Sequence, residues 1–240
     1  MSDAAPGTGT LYGLGVGPGD PDLITLKALK ILQAVPVLAW PAPLEGESMA
    51  RSIMAPHLDG HHVEIPIRMP MVAERFPAQN VYDKAAEEIS QHLRAGRDVA
   101  VLCEGDPFFY GSFMYLYGRL ESDFPVKVVP GVSSLMATAA AVGAPLASRN
   151  DVLTILPGPV DEETLYKRLR NVQAAAIIKV GRHLGKIRRV LERHDLIEHA
   201  RYIEHATMDN QVVRPLSEVS EDTAPYFTMI LVHKRGEAWR

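Results

Sequence analysis

The stretch Val99-Ala100-Val101-Leu102-Cys103-Glu104-Gly105-Asp106-Pro107-Phe108-Phe109-Tyr110-Gly111-Ser112 decides the fold. The unbroken apolar run Val99–Cys103 reads as a strand covered on both faces, the mark of a parallel sheet, because such a strand needs no alternation. The strand then stops abruptly. Gly105 permits backbone angles closed to other residues, Pro107 removes an amide donor, and Asp106 between them can cap a turn or hold a ligand. Backbone and carboxylate thus become available just past a strand's carboxyl end, where open α/β sheets bind ligands. Glu-Gly-Asp-Pro is also an ordinary turn composition, so the surrounding chain has to decide between a site and a mere connection.

Outward from this stretch, strands and helices alternate. Towards the N-terminus the pattern predicts strands at Thr10–Val16, Val35–Trp40 and Val63–Ile65, and helices at Leu23–Gln33, Ser48–Met54 and Val81–Ala95, the last with Gly96 as its stop. Beyond Ser112 it predicts a helix to Ser122, a strand at Val126–Val129 and a small-residue helix at Leu135–Val142. Ala144–Asn150 reads as a linker. Strands follow at Val152–Leu156, Ala174–Val180, Ala200–Glu204, Gln211–Pro215 and Tyr226–His233, with helices from Asp161 to Arg170 and over Leu184–Arg193. The fold class is therefore α/β, in two domains, residues 8–145 and 150–240, with a ligand cleft where their strand ends meet.

A chain of 240 residues that is 47% hydrophobic and 22% charged has ample core for two such domains. A net charge of −4 and a pI near 6.1 argue against nucleic acid as a partner. The lone Cys103 excludes an intrachain disulfide and a multi-cysteine zinc site, and fits a cytoplasmic protein. Met1–Gly9 has neither a basic start nor an apolar run and reads as a short disordered leader. No apolar stretch is long enough for a membrane span.

Several familiar motifs fail. Gly13-Leu14-Gly15-Val16-Gly17-Pro18-Gly19-Asp20 misses the G-x-G-x-x-G spacing in both frames and lacks the Gly-Lys-Ser/Thr of a P-loop. The strand ending at Trp40 carries no acidic tip for a ribose, which argues against a nicotinamide enzyme. His57 and His61 are four apart, but Pro56, Asp59 and Gly60 forbid the helix that would align them on a metal, and His61-His62 read as strand neighbours pointing to opposite faces. No Gly-x-Ser-x-Gly elbow is present. Ser133 suits an N-cap or a polar ligand equally. Arg182, Lys186, Arg188, Arg189 and Arg193 on one helix read as a solvated face.

Taken in order, Leu11-Tyr12-Gly13-Leu14-Gly15-Val16-Gly17-Pro18-Gly19-Asp20 with Leu23–Ala28, Glu104-Gly105-Asp106-Pro107 with Tyr110-Gly111-Ser112, and Val129-Pro130-Gly131-Val132-Ser133-Ser134 resemble the signatures of the tetrapyrrole methylases. With Phe76-Pro77-Ala78-Gln79 and the closing Ala224–Thr228, the resemblance is greatest to the branch that methylates precorrin-2 at C20 to give precorrin-3A in cobalamin biosynthesis. It covers residues 10–235 and implies a homodimer that uses S-adenosylmethionine, returns S-adenosylhomocysteine and requires no metal. Carried over from the family, Pro18 lies near the cofactor, Glu104, Gly105, Asp106 and Phe109 line its methionine part, and Ser133 and Ser134 follow. Val180, Ala206, Pro225 and Thr228 are placed by strand position. The substrate is a polycarboxylate, for which Arg51, Arg68, Arg75 and Arg149 are candidate partners, arginine's planar fork matching a carboxylate.

The sequence departs from the uroporphyrinogen methylases, where an aspartate and a lysine are proposed as base and acid: Pro41 and Ile67, beside Arg68, occupy those positions. That argues against uroporphyrinogen as substrate and leaves the catalytic residues unknown. Cobalt-loaded precorrin-2, the C11 and C17 methylations, an NAD(P)-dependent dehydrogenase and a non-catalytic tetrapyrrole carrier remain as alternatives.

Overall fold

The computed structural model describes residues 7–69 and 77–234, with Pro77 and Ala78 described in backbone only. The chain divides into two compact units, Met1–Ser133 and Ser134–Arg240. Residues 134–145, which the sequence assigns to the first domain, group with the second. The helix α5 (Ser134–Val142) buries Leu135, Ala137 and Thr138, and the Thr138 hydroxyl donates to Met229 Sδ at 3.2 Å.

The first unit runs β1 (Leu11–Gly15), α1 (Leu26–Ala34), β2 (Val37–Pro43), α2 (Met49–Met54), β3 (Val63–Met69), α3 (Pro77–Arg94), β4 (Val99–Cys103), α4 (Phe113–Leu120) and β5 (Val126–Val129). These strands form a five-stranded sheet in the order β3-β2-β4-β1-β5, with every neighbouring pair parallel. Every residue of β4 is buried. Val99, Val101 and Cys103 pack with Ala85, Ile89 and Phe113 from α3 and α4, while Ala100 and Leu102 pack with Ala28, Leu32 and Ile53 from α1 and α2. A continuous apolar run is thus an alternation between two buried faces, each large side chain contributing about 1.5–3 kcal/mol.

Two strands outrun expectation. β2 passes Pro41 and ends at Pro43, and β3 passes Pro66. β2 bonds to β4 only over Val37–Ala39, so beyond Ala39 its β4 side asks for no donor, and β3 is an edge strand; proline is tolerated at both places. α1 starts later than the apolar stripe because Thr25 caps it, its hydroxyl accepting from the Ala28 amide at 3.2 Å.

The second unit continues through β6 (Leu153–Pro157), α6 (Glu162–Leu169), β7 (Ala174–Ile178), α7 (Leu184–Glu192), β8 (Ala200–Glu204), β9 (Val212–Pro215) and β10 (Thr228–His233). Its five-stranded sheet has the order β6-β7-β10-β8-β9; only β6 and β7 are parallel, the rest antiparallel. Asp161 caps α6 by accepting from the Thr164 amide at 2.8 Å. The basic side of α7 is not simply solvated: Arg189 and Arg193 pair with Glu162 at 3.2 and 3.5 Å, and Lys186 Nζ donates to the Val160 carbonyl. Among the described residues no helix is long and apolar enough to cross a membrane.

Candidate active site

The connections of the first sheet dictate where a ligand fits. From β1 the chain passes to α1, whose Ala28 and Leu32 cover one face; from β4 it passes to α4, whose Phe113 and Leu116 cover the other. β1 and β4 are adjacent and parallel, so their exits diverge and open a crevice at their carboxyl ends, the topological switch point of the sheet. The loops that follow meet at that crevice. Val16 N–H donates to the Cys103 carbonyl at 2.9 Å and Gly105 N–H to the Gly17 carbonyl at 2.7 Å. Pro18 comes directly after this bridge, half-buried.

The loop after β5 joins them backbone to backbone. A Cβ on Gly131 would stand 2.0 Å from the Gly105 carbonyl oxygen and 2.7 Å from Gly15 Cα, so that no side chain fits there. Gly105 itself has φ +63°, the left-handed region. Asp106 binds this junction together: Oδ1 accepts from the Phe108 amide at 2.9 Å and Oδ2 from the Gly131 amide at 3.1 Å. Its carboxylate therefore positions two loops.

Glu104 lies at the tip of β4. Its carboxyl accepts from its own amide and from the Ala50 amide in the first turn of α2, and burial, outweighing these bonds, pushes it above the usual carboxylate range. Cys103 beside it is fully buried, its thiol raised well above the ordinary value by desolvation first and then by Glu104 and Asp106, so it is an inert core residue.

In the second unit the sheet gathers the remaining cofactor candidates except Ser134. The antiparallel register places Glu204, the end of β8, opposite Thr228, the start of β10, and Ile177, near the end of β7, opposite Ile230. Val180, Ala206 and the segment Pro225–Thr228 therefore share one sheet edge. Ala224 N–H donates to the Gly181 carbonyl at 3.0 Å and His205 N–H to the Phe227 carbonyl at 2.9 Å, closing the three connections on one another. Val180 is fully buried, while Pro225 is exposed. The Thr228 side chain is also buried and lies beside Tyr202, whose phenol donates to Glu204 at 2.5 Å.

Backbone strain marks the same places. Among the described residues, the non-glycine ones with left-handed φ are Tyr110, Arg149, Lys179, Asp195, His205 and Thr207, of which Asp195, past the end of α7, adjoins no candidate. Tyr110 follows Phe109, Lys179 precedes Val180, His205 and Thr207 flank Ala206, and Arg149 is itself a substrate candidate. Left-handed geometry at such residues costs about 1–2 kcal/mol each and collects where function fixes the chain.

The arginines separate on inspection. Arg51 forms an ion pair with Glu64 at 3.0 Å and lies over the Trp40 ring at 5.7 Å, so its fork is already engaged. Arg68 Nη1 donates to the Pro43 carbonyl at 2.9 Å, holding the β2–α2 loop. Arg149 is exposed in the second unit. Arg75 lies outside the described residues, as does Phe76 of the Phe76–Gln79 motif. Ser133 ends the first unit and Ser134 opens α5 in the second, so the serine pair stands at the division of the chain.

Against known proteins, residues 10–220 match the family described as Tetrapyrrole (Corrin/Porphyrin) Methylases. The chain belongs to the tetrapyrrole methylases. This methylase is 42% identical over 234 residues to a precorrin-2 C(20)-methyltransferase of Sinorhizobium sp., covering 94% of the chain and 96% of that protein. It is 32% identical over 233 residues to a cobalt-precorrin-2 C(20)-methyltransferase of Salmonella typhimurium, covering 95% and 98%. A uroporphyrin-III C-methyl transferase from Thermus thermophilus, solved with S-adenosyl homocysteine, shares the methylase's fold with a TM-score of 0.69 at 24% identity, over 93% of the chain and 97% of its own.

Sequence reasoning missed two features of the structure. The contact of Glu104 with the start of α2 joins residues far apart in the chain, and no local pattern announces it. His61 and His62 lie before β3 rather than on it, and their rings lie side by side, tilted by 33° with centroids 3.8 Å apart, instead of pointing to opposite faces.

Proposed function

We propose that this methylase transfers the methyl group of S-adenosylmethionine to C20 of precorrin-2, giving precorrin-3A and S-adenosylhomocysteine in cobalamin biosynthesis. The observation that carries this reading is the 42% identity, over nearly the full length of both chains, with a protein named for that reaction. The lower identity to the cobalt-precorrin-2 enzyme favours the metal-free substrate. Pro41 and Ile67, where the uroporphyrinogen enzymes carry a proposed base and acid, argue against uroporphyrinogen as the substrate.

The first unit's junction suits the methionine end of the cofactor. An amino acid's ammonium and carboxylate call for backbone carbonyls, amides and hydroxyls at close quarters, which a glycine-built loop crossing with Ser133 nearby in sequence supplies. The strained edge of the second unit carries Val180, Ala206 and Pro225, the candidates the family resemblance adds for the cofactor. Bound there, S-adenosylmethionine supplies a methyl already activated on its sulfonium. The residues' task is then to hold the methyl in line with the electron-rich meso carbon and to exclude water, which supplies much of the acceleration. Glu104, Gly105, Asp106 and Phe109 do this as a rigid loop, Asp106 acting as a positioning residue. Arg68 and Arg149 are the arginines proposed for the substrate's carboxylates. We also read the protein as a cytoplasmic homodimer with no nucleic-acid or membrane partner.

Incubation with precorrin-2 and S-adenosylmethionine carrying a carbon-13 methyl tests the reading. The expected product gains one methyl, with the label on C20. Label on another carbon, or turnover only of the cobalt-loaded substrate, defeats the proposal.

A further inference from the structure

We propose that Asp59, His61 and His62 form a binding site for a divalent transition cation such as Zn2+, independent of the methyl-transfer site. One ligand atom from each of the three lies within 4.8 Å of the other two. The loop sits at the amino end of β3, and the parallel sheet places that end opposite the carboxyl-end crevice.

The local chemistry leaves both imidazoles ready to ligate. Pro36 has no amide hydrogen, so the carbonyl of Leu32, four residues earlier and in the last turn of α1, has no helical partner. His62 Nε2 takes that role, 2.8 Å from the Leu32 oxygen. A carbonyl only accepts, so Nε2 carries a proton, and Nδ1 is the nitrogen left for a cation. His61 presents its nitrogen directly to the third residue of the group. Its Nδ1 lies against the Asp59 carboxylate, which accepts from it, and its backbone amide donates to the same Oδ1 at 3.2 Å. A cation that displaced this proton would stand between His61 Nδ1 and the Asp59 carboxylate, which already lie side by side.

An imidazole whose second nitrogen donates to a carbonyl or carboxylate is the usual arrangement of a histidine metal ligand, because the outer bond fixes tautomer and ring orientation. Here His62 has that outer bond, to Leu32, without the metal, and its ring lies 3.8 Å from that of His61, centroid to centroid, at a tilt of 33°. The Asp59 carboxylate supplies a third donor. Gly60, at φ +84°, makes the turn that brings Asp59 back beside His61. Two nitrogens and one oxygen suit zinc, nickel or copper rather than magnesium or calcium. His57, expected on sequence not to pair with His61 in a metal site, is engaged elsewhere, its Nε2 being 3.2 Å from the Pro21 carbonyl.

Such a cation would join the loop before β3 to the end of α1 through His62, so binding should be visible as stabilisation. Titration of the untagged full chain with ZnCl2 by calorimetry should show one site per chain, accompanied by a rise in Tm. His61→Ala, which spares the bond to Leu32, should weaken zinc by at least about tenfold and abolish the rise. Asp59→Asn should weaken it less. Absence of one-to-one uptake in the parent chain, or equal uptake by His61→Ala, overturns the proposal. The methyl-transfer activity of His61→Ala should equal that of the parent, and this arm fails separately from the zinc titration.

Discussion

The two sheets of this protein handle the same task with opposite means. The first is wholly parallel, buried on both faces, and presents its crevice through glycines whose backbones touch. The second is mixed, with most pairs antiparallel, and fixes its edge with side-chain-bearing residues held in left-handed backbone conformations. A glycine crossing is specified by steric exclusion, so no substitution is small there. A strained edge is specified by the contacts that hold the strain, so relief is cheap in stability and costly in position.

The largest effect should come from Gly131→Ala. Its Cβ would lie 2.0 Å from the Gly105 oxygen and cannot be accommodated without separating the loops, so stability should fall by about 4 kcal/mol or more, measured by urea unfolding. A fall under about 1 kcal/mol would show the crossing to be soft and remove the contrast. Thr207→Gly tests the second region. A β-branched residue at φ 72° should lose its strain on this change, so the chain should be equal in stability or more stable by up to about 1 kcal/mol. On the proposed function, affinity for S-adenosylhomocysteine should nonetheless drop several-fold; unchanged affinity would detach this edge from the cofactor.

The smallest effect concerns Glu104→Gln. Burial raises the folded-state pKa of Glu104 above its unfolded value. The native state therefore binds this proton more tightly, and the associated stability is full below the unfolded pKa and lost as pH rises through the folded one. The uncharged glutamine escapes that loss and still accepts from the Ala50 amide. The variant should have the higher urea midpoint at pH 8, and its advantage should vanish on lowering the pH towards 4. A constant gap at all pH values would trace the effect to packing instead.

Much of this was legible in the sequence, and unevenly. β4 and the Glu-Gly-Asp-Pro turn announced a buried parallel strand and the turn that ends it because both signals are local, and the ordered loops pointed to the family. The glycine crossing was hidden, since Gly15, Gly105 and Gly131 are brought together by sheet order and not by spacing. The division of the chain was read too late because Ala144–Asn150 has a linker's composition, whereas α5 is claimed by Met229 from the far end of the chain. The arginines were chosen by type; that Arg51 is spent on Glu64 depends on a strand pairing no local pattern shows. The histidine pair was misread because Val63, and not His61, begins the strand.

The position of β1 in its sheet bears on how the chain is made. Leu11–Gly15 is hydrogen-bonded on both sides, yet its partners are β4 and β5. The Thr10 amide, just before it, donates to Asp98 across a separation of 88 residues. At roughly 5–20 residues per second of synthesis, the first strand waits about 4–18 s on the ribosome before its nearest partner exists. During that interval Leu11, Leu14 and Val16, all fully buried at the end, have only α1 and the emerging β2 region for company. Within its sheet, β1 is thus the strand that waits longest for its partners, and its apolar side chains are those a chaperone or a neighbouring nascent chain would meet.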